Sequence, residues 1–204
     1  MGGLRYNGAI SKIIIAVAKL FLLNFYWVVG CLPVVTIGPV TIAAFSVLLQ
    51  FIETKEISQN MTKHFWSAAK KNFLHGSALS FLVLLIVYSA WLYCQLALSG
   101  AVNLGMPAGA LLMVMLFLVV PHLVYVFPLE ARYQNRLLVS LGNSRHFFFS
   151  HPIQSLCTCI ALALEAYLFL GISWRLFFIG IFIAPVLMML TISLVSLPLF
   201  KKYE

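Results

Sequence analysis

Residues 20–50 have the sequence LFLLNFYWVVGCLPVVTIGPVTIAAFSVLLQ, and this stretch decides the fold. It carries no charged side chain, and Pro33, Gly38 and Pro39 interrupt it near the middle. Uncharged runs of about 20 apolar residues have the length that a helix needs to cross the hydrocarbon core of a bilayer. Such a break is tolerated in a membrane only where protein or a cavity satisfies the freed backbone groups. The stretch therefore predicts a hairpin of two spans or a broken helix, and in either case a membrane protein.

The composition of the whole chain agrees with this prediction. Hydrophobic residues make up 63% of the 204 residues and charged residues 9%, and the mean hydropathy is +1.03. Soluble domains carry roughly 25% charged residues. We therefore predict an all-α helix bundle that forms one membrane domain, residues 1–204, with no room for a soluble catalytic domain.

Hydropathy and periodicity predict six transmembrane helices and three amphipathic cytoplasmic segments. The spans are predicted over residues 20–35, 38–51, 74–98, 108–126, 152–170 and 176–200. The amphipathic segments are predicted over residues 4–19, 57–73 and 129–151. In the second of these, apolar residues recur every four positions, so its apolar side is expected to face the membrane. In the third, a short helix is expected to end at Gly142.

The basic residues predict the orientation of this bundle. A six-span topology with a cytoplasmic amino terminus places twelve of the thirteen Lys and Arg residues inside and only Arg175 outside. This asymmetry is typical of the positive-inside rule, and it predicts that both termini are cytoplasmic. It also accounts for the net charge of +8 without nucleic acid, because the basic residues are spread over several short loops.

Glu165 is the carboxylate that falls inside a predicted span. An ionised side chain at the centre of a bilayer costs about 2.5–3.5 kcal/mol, so Glu165 needs a partner, water or a proton. Arg175 lies just beyond this span and is expected to reach back and form an intramembrane charge pair. Contact with a partner subunit and a proton or substrate site are the alternatives. His122 follows Pro121 and is expected to repair a proline kink rather than to bind a metal.

The other polar residues of the membrane segments are Asn24, Thr36 and Thr41, with Trp27 on the same side as Asn24. Groups of this kind commonly hold helices together, and a gate or a docking surface is the alternative. The sequence contains no nucleotide-binding, zinc-binding or nucleophile motif and no aspartate. We therefore expect a protein that is not an enzyme and that binds no cofactor or metal.

Two stretches resemble a known family. The run NFYWVVGCLPVVTIGPVTIAAFSVL, followed by HFWSAAKKNF, resembles the start of the YesL-like family of small bacterial membrane proteins. The resemblance covers roughly residues 20–80, and it is weaker at residues 127–129 and 131–133. The matching positions are Asn24, Trp27, Leu32, Pro33, Thr36, Gly38, Pro39, Thr41, Ala43, Phe65, Trp66, Lys71 and Phe73.

The resemblance implies a multi-pass protein of the bacterial cytoplasmic membrane, encoded beside carbohydrate ABC importers and without an established activity. It favours an accessory subunit that packs on the permease and lies near the ATPase. The residues expected at this interface or in the family motif are Asn24, Trp27, Pro33, Thr36, Gly38, Pro39, Phe65, Trp66, Arg132 and Arg136. The alternatives are a small independent transporter or channel that uses Glu165, His122 and Asn24, a membrane enzyme, and an assembly factor with no part in transport.

Overall fold

The computed structural model describes residues 9–55, 60–99, 124–133, 137–171 and 180–203, and every regular element among them is helical. Residues 124–133 are helical, and we call this segment α5. A 3₁₀ turn, Val34–Thr36, precedes α2, and a π-helical turn, Tyr167–Gly171, follows α7. The other helices are α1 (Ala9–Gly30), α2 (Ile37–Thr54), α3 (Met61–Lys71), α4 (Phe73–Leu98), α6 (Leu137–Ser150), α7 (Pro152–Ala166) and α8 (Ala184–Tyr203).

Five of the described segments are long and apolar enough to cross a membrane, which confirms the predicted all-α membrane fold. They are Ser11–Gly30, Val34–Thr54, Phe73–Tyr93, Pro152–Phe169 and Ala184–Tyr203. The predicted fourth span, residues 108–126, lies outside the described residues except for residues 124–126, which are helical. Of the predicted sixth span, residues 176–179 also lie outside them, and the long helix begins only at Ala184.

The bundle is built around α2. Within the protein, 61% of the α2 span is buried, compared with 17% for α1, 19% for α4 and 11% for α7. The α2 side chains Ile42, Phe45 and Leu48 are almost fully buried and form the core together with residues of α3, α5 and α8. The helix ends where Lys55 adopts the left-handed conformation, with φ of 57°. The stretch that decides the fold therefore supplies the central helix.

The predicted segment 4–19 and the predicted first span are joined, because α1 runs from Ala9 to Gly30 without interruption, while residues 4–8 lie outside the described residues. One predicted boundary is wrong: Gly142 does not end its helix, since α6 continues to Ser150. A glycine inside a helix costs about 1 kcal/mol relative to alanine. That cost is overridden here because the turn after Gly142 places Ser144 and Phe147 in the protein interior.

The apolar side of α3 faces protein rather than lipid. Met61, Phe65 and Ala69 are buried, and α3 packs along α2. The helix runs back along α2, since its first half lies beside Gln50 and its last turn beside Pro39. The apolar residues at every fourth position therefore predicted an amphipathic helix correctly. The apolar side of this helix packs on α2, whereas the sequence pattern predicted that it would face the membrane.

The turn between α1 and α2 lies against the first turns of α4. The Ser77 hydroxyl donates a hydrogen bond to the Val35 carbonyl at 2.9 Å, and Gly38 meets Gly76 backbone to backbone. The charge-based topology placed the turn outside and the start of α4 inside, and this contact contradicts it. The reason is α3: with 11 residues it is about 16 Å long, and it returns the chain to the level at which α2 began.

Candidate functional site

The motif residues of the α1–α2 turn bind one another. The Thr36 hydroxyl donates to the carbonyls of Gly30 and Pro33 at this break, and the Thr36 N–H also donates to the Pro33 carbonyl. Gly38 is required by the close approach of α4, because a Cβ atom at this position would lie 1.9 Å from the Gly76 carbonyl oxygen. The polar and small residues of the turn therefore fix a tight joint between α1, α2 and α4.

Trp27 joins α1 to α2. Its indole N–H donates to the Thr41 hydroxyl at 3.1 Å, and that hydroxyl donates to the Ile37 carbonyl at 2.6 Å. The ring borders a cavity of about 300 Å³ that is also lined by Pro185 and Met189 of α8. Trp27 and Thr41 are thus packing residues, as the default interpretation of the sequence expected.

Asn24 closes a break in the backbone ahead of α8. Pro185 has no N–H, so the carbonyl of Ile181 four residues earlier has no helical donor. The Asn24 amide nitrogen donates to this carbonyl at 3.2 Å, and the Asn24 side-chain oxygen accepts from the Val186 N–H at 3.3 Å. The side chain is 1% exposed. One end of the amide therefore binds the carbonyl that the proline leaves without a donor, and the other end binds an N–H in the first turn of α8.

Phe65 and Trp66 hold α3 to α1 through Tyr26. The Tyr26 ring lies 5.8 Å from that of Phe65 and 6.3 Å from that of Trp66, measured between centroids. The Tyr26 hydroxyl is 3.0 Å from the Thr62 hydroxyl. Phe65 is fully buried, whereas Trp66 remains exposed beside Pro33 and Pro39. Trp66 therefore lies between the other predicted residues of this region: its ring contacts that of Phe65 on one side, and it borders Pro33 and Pro39 on the other.

Arg132 lies at the other end of α2. Its guanidinium donates to the Glu53 carboxylate at 2.8 Å, and the Lys201 ammonium lies 4.0 Å from the same oxygen. The rings of Tyr133 and Phe200 meet next to this group at 5.9 Å. The ion pairs join α5 and α8 to the end of α2. Arg136, its predicted companion, lies outside the described residues.

The predicted pair of Glu165 with Arg175 is not placed, because Arg175 lies outside the described residues, as does His122. Instead, one oxygen of Glu165 accepts a hydrogen bond from the Thr191 hydroxyl of α8 at 2.6 Å. Its other oxygen is buried and has no hydrogen-bond partner among the described residues. Glu165 is thus tied to the last helix by a neutral donor in the part of the chain that the structure describes.

A buried carboxyl group at Glu130 was not foreseen. Glu130 is 1% exposed, and it accepts a hydrogen bond from the Ser140 hydroxyl at 2.6 Å. Its second oxygen lies 3.4 Å from Nδ1 of His75, whose side chain is half exposed. No local sequence pattern indicates this cluster, because His75 and Ser140 are 55 and 10 residues away from Glu130, which lies in a polar stretch.

Two further observations concern reactivity at these sites. Burial raises the pKa of the Cys31 thiol to about 12, because a thiolate is disfavoured away from water. No group of three or more His, Cys, Asp or Glu side chains within the described ranges is placed to hold a metal ion. The arrangement as a whole orders helices and their breaks, and among the described residues it contains a buried acid, Glu130, and a partly buried one, Glu165.

Comparison with known proteins gives one similarity. Residues 20–96 match the family model described as "Protein of unknown function, DUF624". The match covers a little over a third of the chain and includes the α1–α2 turn, α3 and most of α4. No curated protein and no solved structure matches the chain. The similarity therefore falls on the segment whose internal contacts are described above.

Proposed function

We propose that this chain is a non-enzymatic accessory subunit of a bacterial carbohydrate ABC importer that packs against the permease within the membrane. It supports assembly or regulation of the transporter rather than forming a substrate path. The proposal joins the family resemblance of residues 20–80 to the surfaces that the fold leaves uncovered.

The observation that carries the proposal is the outer face of α4. This helix is apolar on all sides, yet only 19% of its candidate span is buried within the protein. Its exposed side chains include Phe81, Leu85, Tyr88 and Leu92, which follow one another at helical spacing and which we call the α4 stripe. The Tyr88 ring stacks on Trp91 at 5.9 Å. Large aromatic anchors of this kind are enriched where proteins bind proteins.

The internal use of the motif residues supports the same reading. Asn24, Trp27 and Thr36 direct their polar atoms to backbone or side-chain groups of this chain. Their work is to hold a defined arrangement of helices in a bilayer, where interhelical hydrogen bonds contribute about 0.6–2 kcal/mol each. A rigid scaffold with uncovered apolar helix faces suits a subunit that acts by contact.

The cationic end of the bundle supports a position near the transporter's ATPase. Arg132 and Lys201 meet at Glu53, and Lys202 follows on the exposed last turn of α8. Among the described residues of this end, two basic side chains share the Glu53 carboxylate, and we expect this surface to meet acidic groups of the ATPase. In the proposed complex this end lies on the cytoplasmic side.

The test is site-specific photo-crosslinking in native membranes. A photoreactive amino acid at Tyr88 is expected to crosslink to a permease subunit, while the same probe at Leu156 on the exposed face of α7 is the matched control. Affinity purification of the tagged chain should retain transporter subunits, and Leu85→Ala with Tyr88→Ala should reduce their amount. Purification with no transporter subunit, or equal crosslinking from both positions, would contradict the proposal.

One observation favours the alternative, an independent transporter or channel. A buried oxygen of Glu165 has no hydrogen-bond partner among the described residues, so it is available to take up a proton or to bind a solute. Asn24 does not favour it, since both ends of its amide are bound to backbone. Solute or proton flux in liposomes containing only this chain, lost in Glu165→Gln, would establish the alternative.

A further inference from the structure

A groove separates the α1–α2 turn from the last turns of α3, and we call it the turn groove. It has a volume of about 310 Å³, and its walls include Pro33, Thr36 and Pro39 on one side and Trp66, Ala69 and Lys70 on the other. The Thr36 hydroxyl donates to backbone carbonyls, so it offers no free donor to a molecule in the groove. Lys70 is the single charged side chain among the residues that line it.

The surface around the turn groove is apolar and exposed. Leu32 is 78% exposed and Leu74 is 80% exposed, and Val34 and Val35 are exposed as well. Side chains of this size are stable at such exposure when they lie in the interfacial layer of a bilayer. Trp66 at the rim has the amphipathic ring that is enriched at this depth. The mouth of the groove therefore opens toward lipid.

Among the described residues, no acidic side chain pairs with the lysines at the rim. Lys70 and Lys71 occupy the last turn of α3, and both are exposed. The ion pairs that involve the acids of the described ranges are formed by His75, Arg132 and Lys201 and include neither lysine. An apolar groove with a cationic rim at the membrane interface is complementary to an amphiphile with an anionic head and a hydrocarbon tail.

We propose that the turn groove binds one anionic phospholipid of the surrounding bilayer. One acyl chain lies between Pro39 and Trp66, and the phosphate lies at the ammonium groups of Lys70 and Lys71. The lipid covers the joint at which the α1–α2 turn, α3 and α4 meet. This site does not depend on the identity of any transporter partner.

The charge requirement is tested by lipid retention. The full chain, purified in mild detergent from membranes containing phosphatidylglycerol and phosphatidylcholine, is expected to keep one phosphatidylglycerol, counted by native mass spectrometry. Lys70→Gln and Lys71→Gln should each weaken the preference for the anionic lipid about five-fold, and together about 25-fold. Lys63→Gln is the matched control, because Lys63 is on the same helix but faces the surface beside Gln50.

The location of the acyl chain is tested by fluorescence in bilayers. Phosphatidylglycerol with a brominated acyl chain should quench Trp66, and the quenched component should disappear in Trp66→Phe. Val29→Phe, which fills the groove from its rim, should remove the quenching while the lysines remain. Equal retention of both lipids, equal effects of Lys63→Gln and Lys70→Gln, or quenching unchanged by Trp66→Phe would each overturn the proposal.

Discussion

Asn24 and Pro185 form a repair pair whose energetic coupling is measurable. Asn24→Leu keeps the branched shape of the side chain but removes both partners of the backbone break, the donor to the Ile181 carbonyl and the acceptor of the Val186 N–H. A buried backbone group without a partner costs about 1–3 kcal/mol. Polar bonds between membrane helices contribute about 0.6–2 kcal/mol each. We therefore expect Asn24→Leu to lower the free energy of unfolding by about 2–4 kcal/mol.

The second substitution, Pro185→Ala, separates this explanation from a general packing defect. It restores a backbone N–H four residues after Ile181, so that the carbonyl regains a donor within its own helix. The cost of Asn24→Leu should then fall by about 1–2 kcal/mol relative to its cost in the natural background. Because both arms of this double-mutant cycle are compared in the same background, the loss of packing that Pro185→Ala causes near Trp27 does not enter the coupling energy.

The measurement is equilibrium unfolding of the purified chain in mixed micelles, with increasing sodium dodecyl sulfate and helicity followed by circular dichroism. Ser193→Ala is the matched control, because Ser193 is a buried polar residue of α8 whose hydroxyl bonds within that helix, to the Met189 carbonyl. Its effect should be the same with and without Pro185→Ala. If Asn24→Leu lowers the free energy of unfolding equally with and without Pro185→Ala, Asn24 does not compensate for the N–H that Pro185 lacks.

Three further predictions concern other contacts. Gly38→Ala should lower the free energy of unfolding by at least about 3 kcal/mol in the same assay, because the added methyl group would collide with the α4 backbone. The control Gly142→Ala should be neutral or stabilising by up to about 1 kcal/mol, because the space beside Gly142 is open. Glu130→Ala should cost about 2–4 kcal/mol, and less when Ser140→Ala has already removed the hydroxyl that donates to it; additive effects would argue against this hydrogen bond. Maleimide labelling of Cys31 should be about 1000-fold slower at pH 8 than in the unfolded chain, because raising its pKa from 9.0 to about 12 lowers the thiolate fraction. The labelling rate should increase about tenfold per pH unit through pH 9 to 11 without levelling off, and a plateau near pH 9 would contradict the burial of this thiol.

Sequence patterns predict the helices well where the pattern is local. Predicted span 74–98 coincides with α4 to within one residue at its start, and 152–170 with α7 and its π-helical turn. The spacing of Met61, Phe65 and Ala69 marked the buried face of α3. These predictions succeed because helix length, apolar content and a period near four residues are properties of one segment.

The topology predicted from the basic residues fails at the α1–α2 turn. It assumes that every loop follows a helix that crosses the whole membrane, so that successive loops lie on opposite sides. In the structure α3 runs back along α2, and its last turn lies beside Pro39, so that the chain enters α4 next to the α1–α2 turn. Lys70 therefore lies beside the turn, and the two were assigned to opposite faces. A count of basic residues contains no information on such a return, which depends on the packing of α3 on α2.

The sequence by itself determined that the chain is a bundle of apolar helices with a break near Pro33, because membrane burial demands long uncharged segments and leaves few alternatives for a backbone. Only the tertiary structure decided what satisfies that demand at each break. Asn24 meets groups at Ile181 and Val186, more than 150 residues away, and Glu130 meets His75 and Ser140. Pairings between distant segments follow from how the helices cross, and no local pattern encodes them.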